Sequence, residues 1–324
     1  MKRLLVLTAS ACLAAASAWA QPVPVIFDTD MGNDVDDALA LAMLHALESR
    51  GECRLLGVTV TKDNPWAPVY VDLVNTFYGR GQIPVGMVKG GVTPESSRMI
   101  QVPAERRRAD GTWVYPRRLA SGAEAVEAVT LLRRLLADAR DGSVVIVQVG
   151  FSTNLARLLD APADVELVKR KVKLLSVMAG NFAQPKAEFN VQKDTASARK
   201  LFDQWPGEIV VSGFEIGEAM KFPAARIEKD FAWAADHPVV DAYRAYMKMP
   251  YDRQTWDLTA VLYGVRPAGA YFDLSAPGRI SADDTGRTSF RADAAGKHRY
   301  LVLTEAERAR TLECMVGLAS QPAK

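Results

Sequence analysis

Five aspartates lie within ten residues near the start of the chain, in the stretch from Asp28 to Asp37. Carboxylates that share one site raise each other's pKa values, so keeping all of them ionised costs free energy. A hard divalent cation among their oxygens is the simplest compensation. The plainer interpretation is a solvated acidic turn that caps the next helix, but one cap needs only one aspartate. The stretch therefore predicts a metal-binding or catalytic loop, built on Asp28, Asp30, Asp34, Asp36 and Asp37.

Alternating strand and helix patterns surround this loop and continue along the chain. The β-branched runs Val23 to Phe27 and Leu55 to Val60 flank apolar residues at helical spacing from Val35 to Leu47, which is a βαβ pattern. The loop then falls at the carboxyl end of a strand, where open α/β sheets bind ligands. No linker divides the chain. We predict one α/β domain over residues 21–324, with a mostly parallel central sheet and helices on both faces.

Residues 1–20 have the pattern of a signal peptide. Lys2-Arg3 is basic, the apolar run after it is too short to span a membrane, and Ala18-Trp19-Ala20 forms a small-x-small cleavage site. We therefore expect export, to the periplasm or out of the cell. Without that segment the chain has equal numbers of basic and acidic residues, which favours neither nucleic acid nor a membrane surface as a partner. Cys53 and Cys314 remain, either as a disulfide or as two thiols.

A polar segment from Lys89 to Arg118 is rich in Arg and Gly and is interrupted by prolines. This composition predicts a long loop. Long loops often carry function, so we expect Trp113 and Tyr115 to belong to a lid over a ligand site.

The aspartate stretch resembles the N-terminal motif of the nucleoside hydrolases. The matching residues are Asp28-Thr29-Asp30-Met31-Gly32 and, after a short gap, Asp36-Asp37-Ala38, with the pair Asp34-Val35 as a local insertion. This inosine-uridine preferring family is calcium-dependent and cleaves N-ribosidic bonds. Three later segments resemble its other signatures in the family's order, namely Gly150-Phe151-Ser152-Thr153-Asn154, Glu188-Phe189-Asn190 and Trp256-Asp257.

The resemblance implies a calcium site and a set of ribose contacts. Ca²⁺ would be held by Asp30, Asp37, Asp257 and the backbone carbonyl of Val149. A calcium-bound water, activated by Asp30 as the base, would attack the ribose and release the base, in a role such as purine salvage. The ribose hydroxyls would be held by Asp36, Asn64, Asn181, Glu188 and Asn190. The family also implies a homo-oligomer, either a dimer or a tetramer.

The segment around Glu188 and Asn190 has its own local expectation. In an extended chain these two side chains point one way and Phe189 the other.

Leaving-group activation departs from the commonest family pattern, because Trp256 stands where many members have a catalytic histidine. A purine-preferring branch of the family stacks the base between aromatic rings, including a tryptophan at this position. By that resemblance Trp256 is a catalytic residue and the enzyme favours purine nucleosides. Candidates for the opposite side of the stack are Trp66, Phe182 and Trp113.

Two other functions remain open from the sequence. A protein of the same fold that binds a nucleoside or sugar without cleaving it is one, because a missing histidine can mean lost chemistry. A haloacid dehalogenase-like phosphatase is the other, since its motif begins with a similar Asp-x-Asp. Gly32 stands where that motif needs Thr or Val, which makes the phosphatase the more distant alternative.

Overall fold

The computed structural model describes residues 21–322. The predicted signal peptide, residues 1–20, lies outside the described residues. The described strands, numbered in chain order as β1 to β13, are Val23–Thr29, Cys53–Lys62, Val85–Val92, Val126–Glu127, Val144–Gln148, Val172–Met178, Ile209–Ser212, Lys221–Phe222, Arg253–Gln254, Asp273–Leu274, Gly278–Ala282, Thr288–Ala292 and His298–Val302.

Helices alternate with these strands along most of the chain. The α-helices, numbered α1 to α13, are Asp36–Ser49, Trp66–Phe77, Arg98–Glu105, Ala128–Asp138, Thr153–Leu158, Pro162–Lys171, Phe189–Lys193, Thr195–Gln204, Phe214–Glu218, Ala224–Asp230, Pro238–Tyr246, Trp256–Val265 and Glu305–Ala319. A short 3-10 turn spans Gly122–Glu124.

The main sheet has the strand order β12-β11-β13-β7-β6-β5-β1-β2-β3-β4, with β10 paired to β13. Neighbouring strands from β13 through β1 to β4 are parallel. Among the described strands, antiparallel pairs involve β10, β11 and β12 at one edge, next to β13, and the separate small β8-β9 ribbon. The predicted α/β class with a mostly parallel central sheet is confirmed.

Two apolar cores lie on opposite faces of this sheet. Val25 and Phe27 of β1 belong to one core, together with α1, α2 and α12, whereas Ile26 belongs to the other, together with α4 and α8. Successive side chains of a strand point to opposite faces, so a central strand with apolar residues on both sides must be covered twice. This confirms helices on both faces.

Helix α1 is the most enclosed helix near the aspartate loop. All of its residues from Asp36 to Leu47 are buried, because α12 and α13 pack against it in addition to strand β2. Its first turn therefore carries Asp36 and Asp37 into the protein interior rather than into solvent.

The segment predicted as one long loop, Lys89 to Arg118, is partly regular. Strand β3 continues to Val92, and α3 occupies Arg98–Glu105 in spite of Pro103. The proline removes one backbone donor, but it stands in the last turn, and the apolar side chains Met99 and Ile100 are buried against the core. Tertiary packing thus overrides the local composition.

Two smaller observations concern the cysteines and the helices of the described residues. Cys53 and Cys314 are free thiols rather than a disulfide. Among residues 21–322, none of the helices combines the length and apolarity that a membrane crossing requires.

His45 in α1 provides a test of this packing through the pH dependence of stability. Its side chain is fully buried, and Nε2 lies 2.9 Å from Oδ1 of Asn75. Burial is the main cause that lowers the pKa of His45 from 6.5 to about 3. The unfolded chain therefore binds a proton below pH 6.5 that the folded chain does not bind, so this part of the stability is complete above pH 6.5 and is lost as the pH falls.

We expect the wild type to lose about 2 kcal/mol more unfolding free energy than His45→Gln between pH 7.5 and 5.0, as the linkage relation gives for this shift. Urea denaturation of both proteins in the same buffers measures the difference. Contributions from the other titrating groups are common to both proteins and cancel. Parallel stability curves for the two proteins would contradict the buried, uncharged His45.

Candidate active site

A cavity of about 520 Å³ opens where β1, β5 and β6 end at the carboxyl edge of the sheet. The loops after these strands and the first turn of α12 supply its polar walls. Eleven of the residues that the sequence singled out line it, namely Asp30, Asp34, Asp36, Asp37, Val149, Asn181, Glu188, Phe189, Asn190, Trp256 and Asp257. The cavity therefore joins residues that lie more than two hundred positions apart in the chain.

Three carboxylates form the floor of the cavity. Asp36, Asp37 and Asp257 are buried and offer oxygen atoms that all lie within 4.8 Å of one another. Burial is the largest cause that raises their pKa values well above the usual range, and repulsion among the neighbouring carboxylates adds to it. Grouped oxygen donors without thiol or imidazole suit a hard cation such as Ca²⁺ or Mg²⁺. The floor fits a bound divalent cation.

Asp30 lines the cavity beside this group but is not one of the three. Its Oδ2 accepts a hydrogen bond of 2.8 Å from Nδ2 of Asn33. Burial raises the pKa of Asp30 to about 6.

Asp36 lies next to the start of α12. The backbone nitrogen of Asp257 donates to Oδ2 of Asp36 at 3.1 Å. The residue expected to bind ribose, Asp36, thus stands with the expected metal ligands.

The first two signatures of the sequence interlock beneath the floor. Asp28 is fully buried, and its Oδ1 accepts hydrogen bonds from Oγ1 of Thr59 at 2.5 Å and from Nδ2 of Asn154 at 2.8 Å. Its backbone carbonyl accepts from the nitrogen of Val149 at 2.7 Å. A side chain on Gly150 would collide with the backbone nitrogen of Asp30. Asp28 therefore orients the loop from below, and Gly150 is needed for the close approach.

Glu188 and Asn190 form the wall on the side of β6. They do not lie in an extended segment, because Glu188 caps α7 and accepts hydrogen bonds from the nitrogens of Asn190 at 2.9 Å and Val191 at 3.2 Å. Both are buried, whereas Phe189 between them is 46% exposed. Burial raises the pKa of Glu188 to about 7. The extended conformation expected for this segment is therefore not found, and Phe189 lines the cavity together with Glu188 and Asn190.

Asn190 also connects this wall to Val149. Its Nδ2 donates to the carbonyl of Val149 at 2.8 Å. A backbone carbonyl has two lone pairs, so this contact leaves Val149 able to accept one more bond or to bind a cation.

The opposite wall is aromatic. Trp256 is held in place because its Nε1 donates to the carbonyl of Phe214 at 2.9 Å, and the two rings lie 5.3 Å apart. Tyr246 and Phe189 also line the cavity. The sequence did not single out Phe214 or Tyr246, since single aromatic residues on short helices carry no local signal of a site.

The three aromatic partners suggested for Trp256 lie elsewhere. Phe182 stacks on Tyr300 at 4.6 Å, and Trp113 is covered by the guanidinium groups of Arg107 and Arg117. None of the three suggested partners, Phe182, Trp113 and Trp66, lines the cavity.

The predicted lid is not found at Tyr115 either. Tyr115 is buried and donates to Oδ2 of Asp241 at 2.6 Å, so it belongs to the core of this region rather than to a lid.

Asn64, expected to contact ribose, has a structural contact set instead. Its Nδ2 donates to the carbonyls of Pro94 and Glu95, both at 3.1 Å, and its Oδ1 accepts from the nitrogen of Trp66 at 3.0 Å. It does not line the cavity. Through these three bonds the side chain of Asn64 connects the first residue of α2 to the turn after β3.

Arg253 and Asp34 form an ion pair at the side of the cavity. The Nε of Arg253 donates to Oδ1 of Asp34 at 2.8 Å, and its guanidinium carbon lies 5.3 Å from the ring centres of both Tyr246 and Trp256. The sequence singled out Asp34 only as a member of the acidic loop and of the insertion, and it did not single out Arg253. Their pairing spans more than two hundred residues and has no local pattern.

The histidines of the described residues do not supply an acid to this cavity. His45, His237 and His298 are buried elsewhere, and burial lowers the pKa of each. None of these three histidines therefore takes the place of the missing motif histidine.

Comparison with known proteins gives one family and one fold. The model of the inosine-uridine preferring nucleoside hydrolases matches residues 25–313. The chain is 30% identical over 186 residues to the pyrimidine-specific ribonucleoside hydrolase RihA of Shewanella sp. (strain ANA-3), a match that covers 55% of this chain and 55% of that protein. The chain thus spans about half the length of that relative.

Solved structures agree over nearly the whole chain. A plant nucleoside hydrolase superposes with a TM-score of 0.70 at 21% identity, covering 93% of this chain and 100% of that one. The purine-preferring ribonucleoside hydrolase from Gardnerella vaginalis gives 0.68 at 19% identity, covering 92% and 98%. At identities this low, the superposition shows that the chain shares the fold of these proteins and nothing further.

Proposed function

Because the chain belongs to the inosine-uridine preferring nucleoside hydrolase family, we propose that it is a glycosidase that hydrolyses the N-glycosidic bond of ribonucleosides to free base and ribose. The observation that carries the proposal is the composition of the cavity. Grouped carboxylates lie on its floor, amide and carboxylate groups on one wall and aromatic rings on the other. A ribose needs hydroxyl acceptors and a base needs a flat apolar surface, so this division fits a nucleoside.

Ribose binding is assigned to Asp36, Asn181, Glu188 and Asn190, which all line the cavity. The carboxylates of Glu188 and Asp36 accept hydrogen bonds from hydroxyl groups, and such charge-assisted bonds are stronger than neutral ones. Contacts to the sugar hydroxyls that strengthen as positive charge develops on the ring favour the oxocarbenium-like transition state of glycoside cleavage.

Calcium is assigned to the floor, with Asp37, Asp257, Asp30 and the carbonyl of Val149 as its ligands. Support comes from the closeness of the Asp37 and Asp257 oxygens, from their burial and from the lone pair that remains on Val149. Asp36 lies near enough to share the ion or to bind a ribose hydroxyl. When bound, the cation supplies a Lewis acid that lowers the pKa of nearby water.

Asp30 is assigned as the general base. It takes a proton from water while the water oxygen forms its bond to the anomeric carbon. In the same step the bond from that carbon to the nitrogen of the nucleobase breaks and its electron pair goes to the nucleobase, which takes up a proton from solvent. Asp30 afterwards returns its proton to solvent. The position of Asp30 in the cavity wall, next to the carboxylate floor, supports this role.

The aromatic wall is assigned to binding of the nucleobase, with a preference for purines. Trp256 would stack on it, and Phe214 and Tyr246 replace the three partners suggested from the sequence. A purine overlaps more ring area than a pyrimidine and offers N7 for protonation. The solved relatives include a purine-preferring enzyme, and the curated relative is pyrimidine-specific, so the preference has to be measured.

Binding without cleavage is the second candidate, because no histidine of residues 21–322 lines the cavity. The family match leaves the phosphatase alternative without support. Export through residues 1–20, assembly as a dimer or tetramer and a role in purine salvage remain parts of the proposal that the sequence alone supports.

Substitution of Asp30 separates an enzyme from a binding protein. We expect Asp30→Asn to lower kcat for inosine by about a hundredfold or more, the scale of losing a general base. Release of free base and reducing sugar measures the rate, and the calcium content of each protein must be determined in parallel. Asp63→Asn is the matched control, because Asp63 follows β2 at the same edge and, among the described residues, its carboxylate accepts one hydrogen bond, from the backbone nitrogen of Gly91. Wild-type protein that binds nucleoside and calcium but releases no base would support the binding function instead.

Substitution of Trp256 tests the stacking role. Stacking of a base on an aromatic ring contributes about 1–3 kcal/mol, so Trp256→Ala should slow inosine cleavage by roughly tenfold to a hundredfold. We expect a smaller effect on uridine. Trp113→Ala serves as the control, because Trp113 lies outside the cavity between two arginines. If the wild type cleaves inosine and uridine at equal rates and Trp256→Ala slows both equally, stacking does not select the base.

A further inference from the structure

Lys62, the last residue of β2, is a buried cation beside the active-site cavity. Its side chain is 2% exposed. The ammonium group donates to Oδ1 of Asn33 at 2.8 Å and to the carbonyl of Thr93 at 2.8 Å, and the carboxylate of Glu95 lies 4.0 Å away. Burying an ammonium group is costly unless it is hydrogen-bonded. These acceptors make the position of Lys62 stable.

The lysine determines which way the carboxamide of Asn33 faces. An ammonium group can only donate, so it requires the oxygen of the amide. The amide nitrogen then points the other way, where Nδ2 donates to Oδ2 of Asp30 at 2.8 Å and to Oγ1 of Thr93 at 3.2 Å. A flipped amide would set its NH₂ group against the ammonium and its oxygen against the carboxylate. Both contacts would be repulsive.

The backbone is shaped to allow this contact. Gly32 has a φ of +113°, and a Cβ there would lie 2.7 Å from Cδ1 of Ile100 and 3.1 Å from Cδ of Lys62. The stem of Lys62 therefore lies across a turn that only glycine can make. Thr93 has a φ of +55°, which costs a residue with a side chain free energy. In this conformation its carbonyl meets Lys62 and its hydroxyl meets Asn33.

We propose that Lys62 is a positioning residue that acts through Asn33 to hold the carboxylate of Asp30 in its reactive orientation. The inference rests on the proposed role of Asp30 as the base. Because Asn33 donates to Oδ2, the carboxylate is fixed in one rotamer beside the floor instead of turning among the acidic side chains. Asn33 directly precedes the Asp34-Val35 insertion.

The first test is Lys62→Met, which keeps an unbranched stem and removes the ammonium group. We expect kcat for the preferred nucleoside to fall about tenfold to a hundredfold, as for the loss of a hydrogen bond to a charged group. KM should change by no more than about threefold, because ribose binding is assigned to other residues. Asp30 is also assigned as a calcium ligand, so the calcium dissociation constant is measured for each protein and kcat is compared at saturating calcium. Lys171→Met is the control. Lys171 is also largely buried, at 12% exposure, and its ammonium also donates to a backbone carbonyl, that of Ala139, but it lies far from Lys62 in the sequence.

Two substitutions of Asn33 test the same contact from its other side, and as single variants they keep the proposal testable if Lys62→Met folds poorly. Asn33→Ala should lower kcat by a similar factor, and the double variant should be no slower than either single variant, because both remove one shared contact. Asn33→Asp keeps a partner for Lys62 but presents an acceptor to Asp30, so it should also lose turnover. A double variant whose losses multiply, or Asn33→Asp with wild-type kcat, would overturn the proposal.

A crystal structure of Lys62→Met tests the same point without turnover. We expect the carboxamide of Asn33 to turn, so that Nδ2 no longer donates to Asp30. An Asn33 that keeps its 2.8 Å bond to Asp30 in the variant would overturn the positioning role, whatever the activity. Wild-type protein that hydrolyses no nucleoside would instead refute the proposed function, and the structure of the variant would still decide whether Lys62 orients Asn33.

Discussion

The repulsion among buried carboxylates at the end of β1 is the constraint on which the site depends. Asp30, Asp36, Asp37 and Asp257 are all nearly inaccessible to solvent, and burial raises the pKa of each. Such a group is tolerated when its members are protonated, bonded to donors or neutralised by a cation. The surrounding structure supplies a few donors, and the grouped oxygens provide a place for the cation.

The fold holds these carboxylates by connecting separate parts of the sheet edge. Oγ1 of Thr29 donates to Asp37, which ties the end of β1 to the first turn of α1. Asn154 of α5 donates to Asp28, and the backbone nitrogen of Asp257 in α12 donates to Asp36. Each contact satisfies a carboxylate with a neutral donor, so the negative charge is kept in place rather than removed. A divalent cation can then act as the electrostatic centre of the whole edge.

The sequence was sufficient for features that have a local pattern. The alternation of strands and helices predicted the parallel sheet, and Gly150 and Asp257 lie where their segments predicted, at a strand end and a helix start. Features set by distant neighbours were not predictable. Asn64 faces the turn at Pro94 and Glu95 rather than the cavity, Phe214 rather than Phe182 meets Trp256, and α3 forms across a proline because its apolar side chains are buried. Likewise, no periodicity links Lys62 to Asn33.

Calcium binding by the protein freed of metal with a chelator tests the central claim most directly. Titration calorimetry should show about one ion bound per chain, as expected for a single group of oxygen ligands. Base release from inosine should be absent before calcium is added and should return in proportion to the bound ion. Asp37→Asn, which alters a ligand from the floor, should weaken binding and shift the return of activity to higher calcium. Protein that binds no calcium, or that hydrolyses inosine equally well without it, would contradict the account.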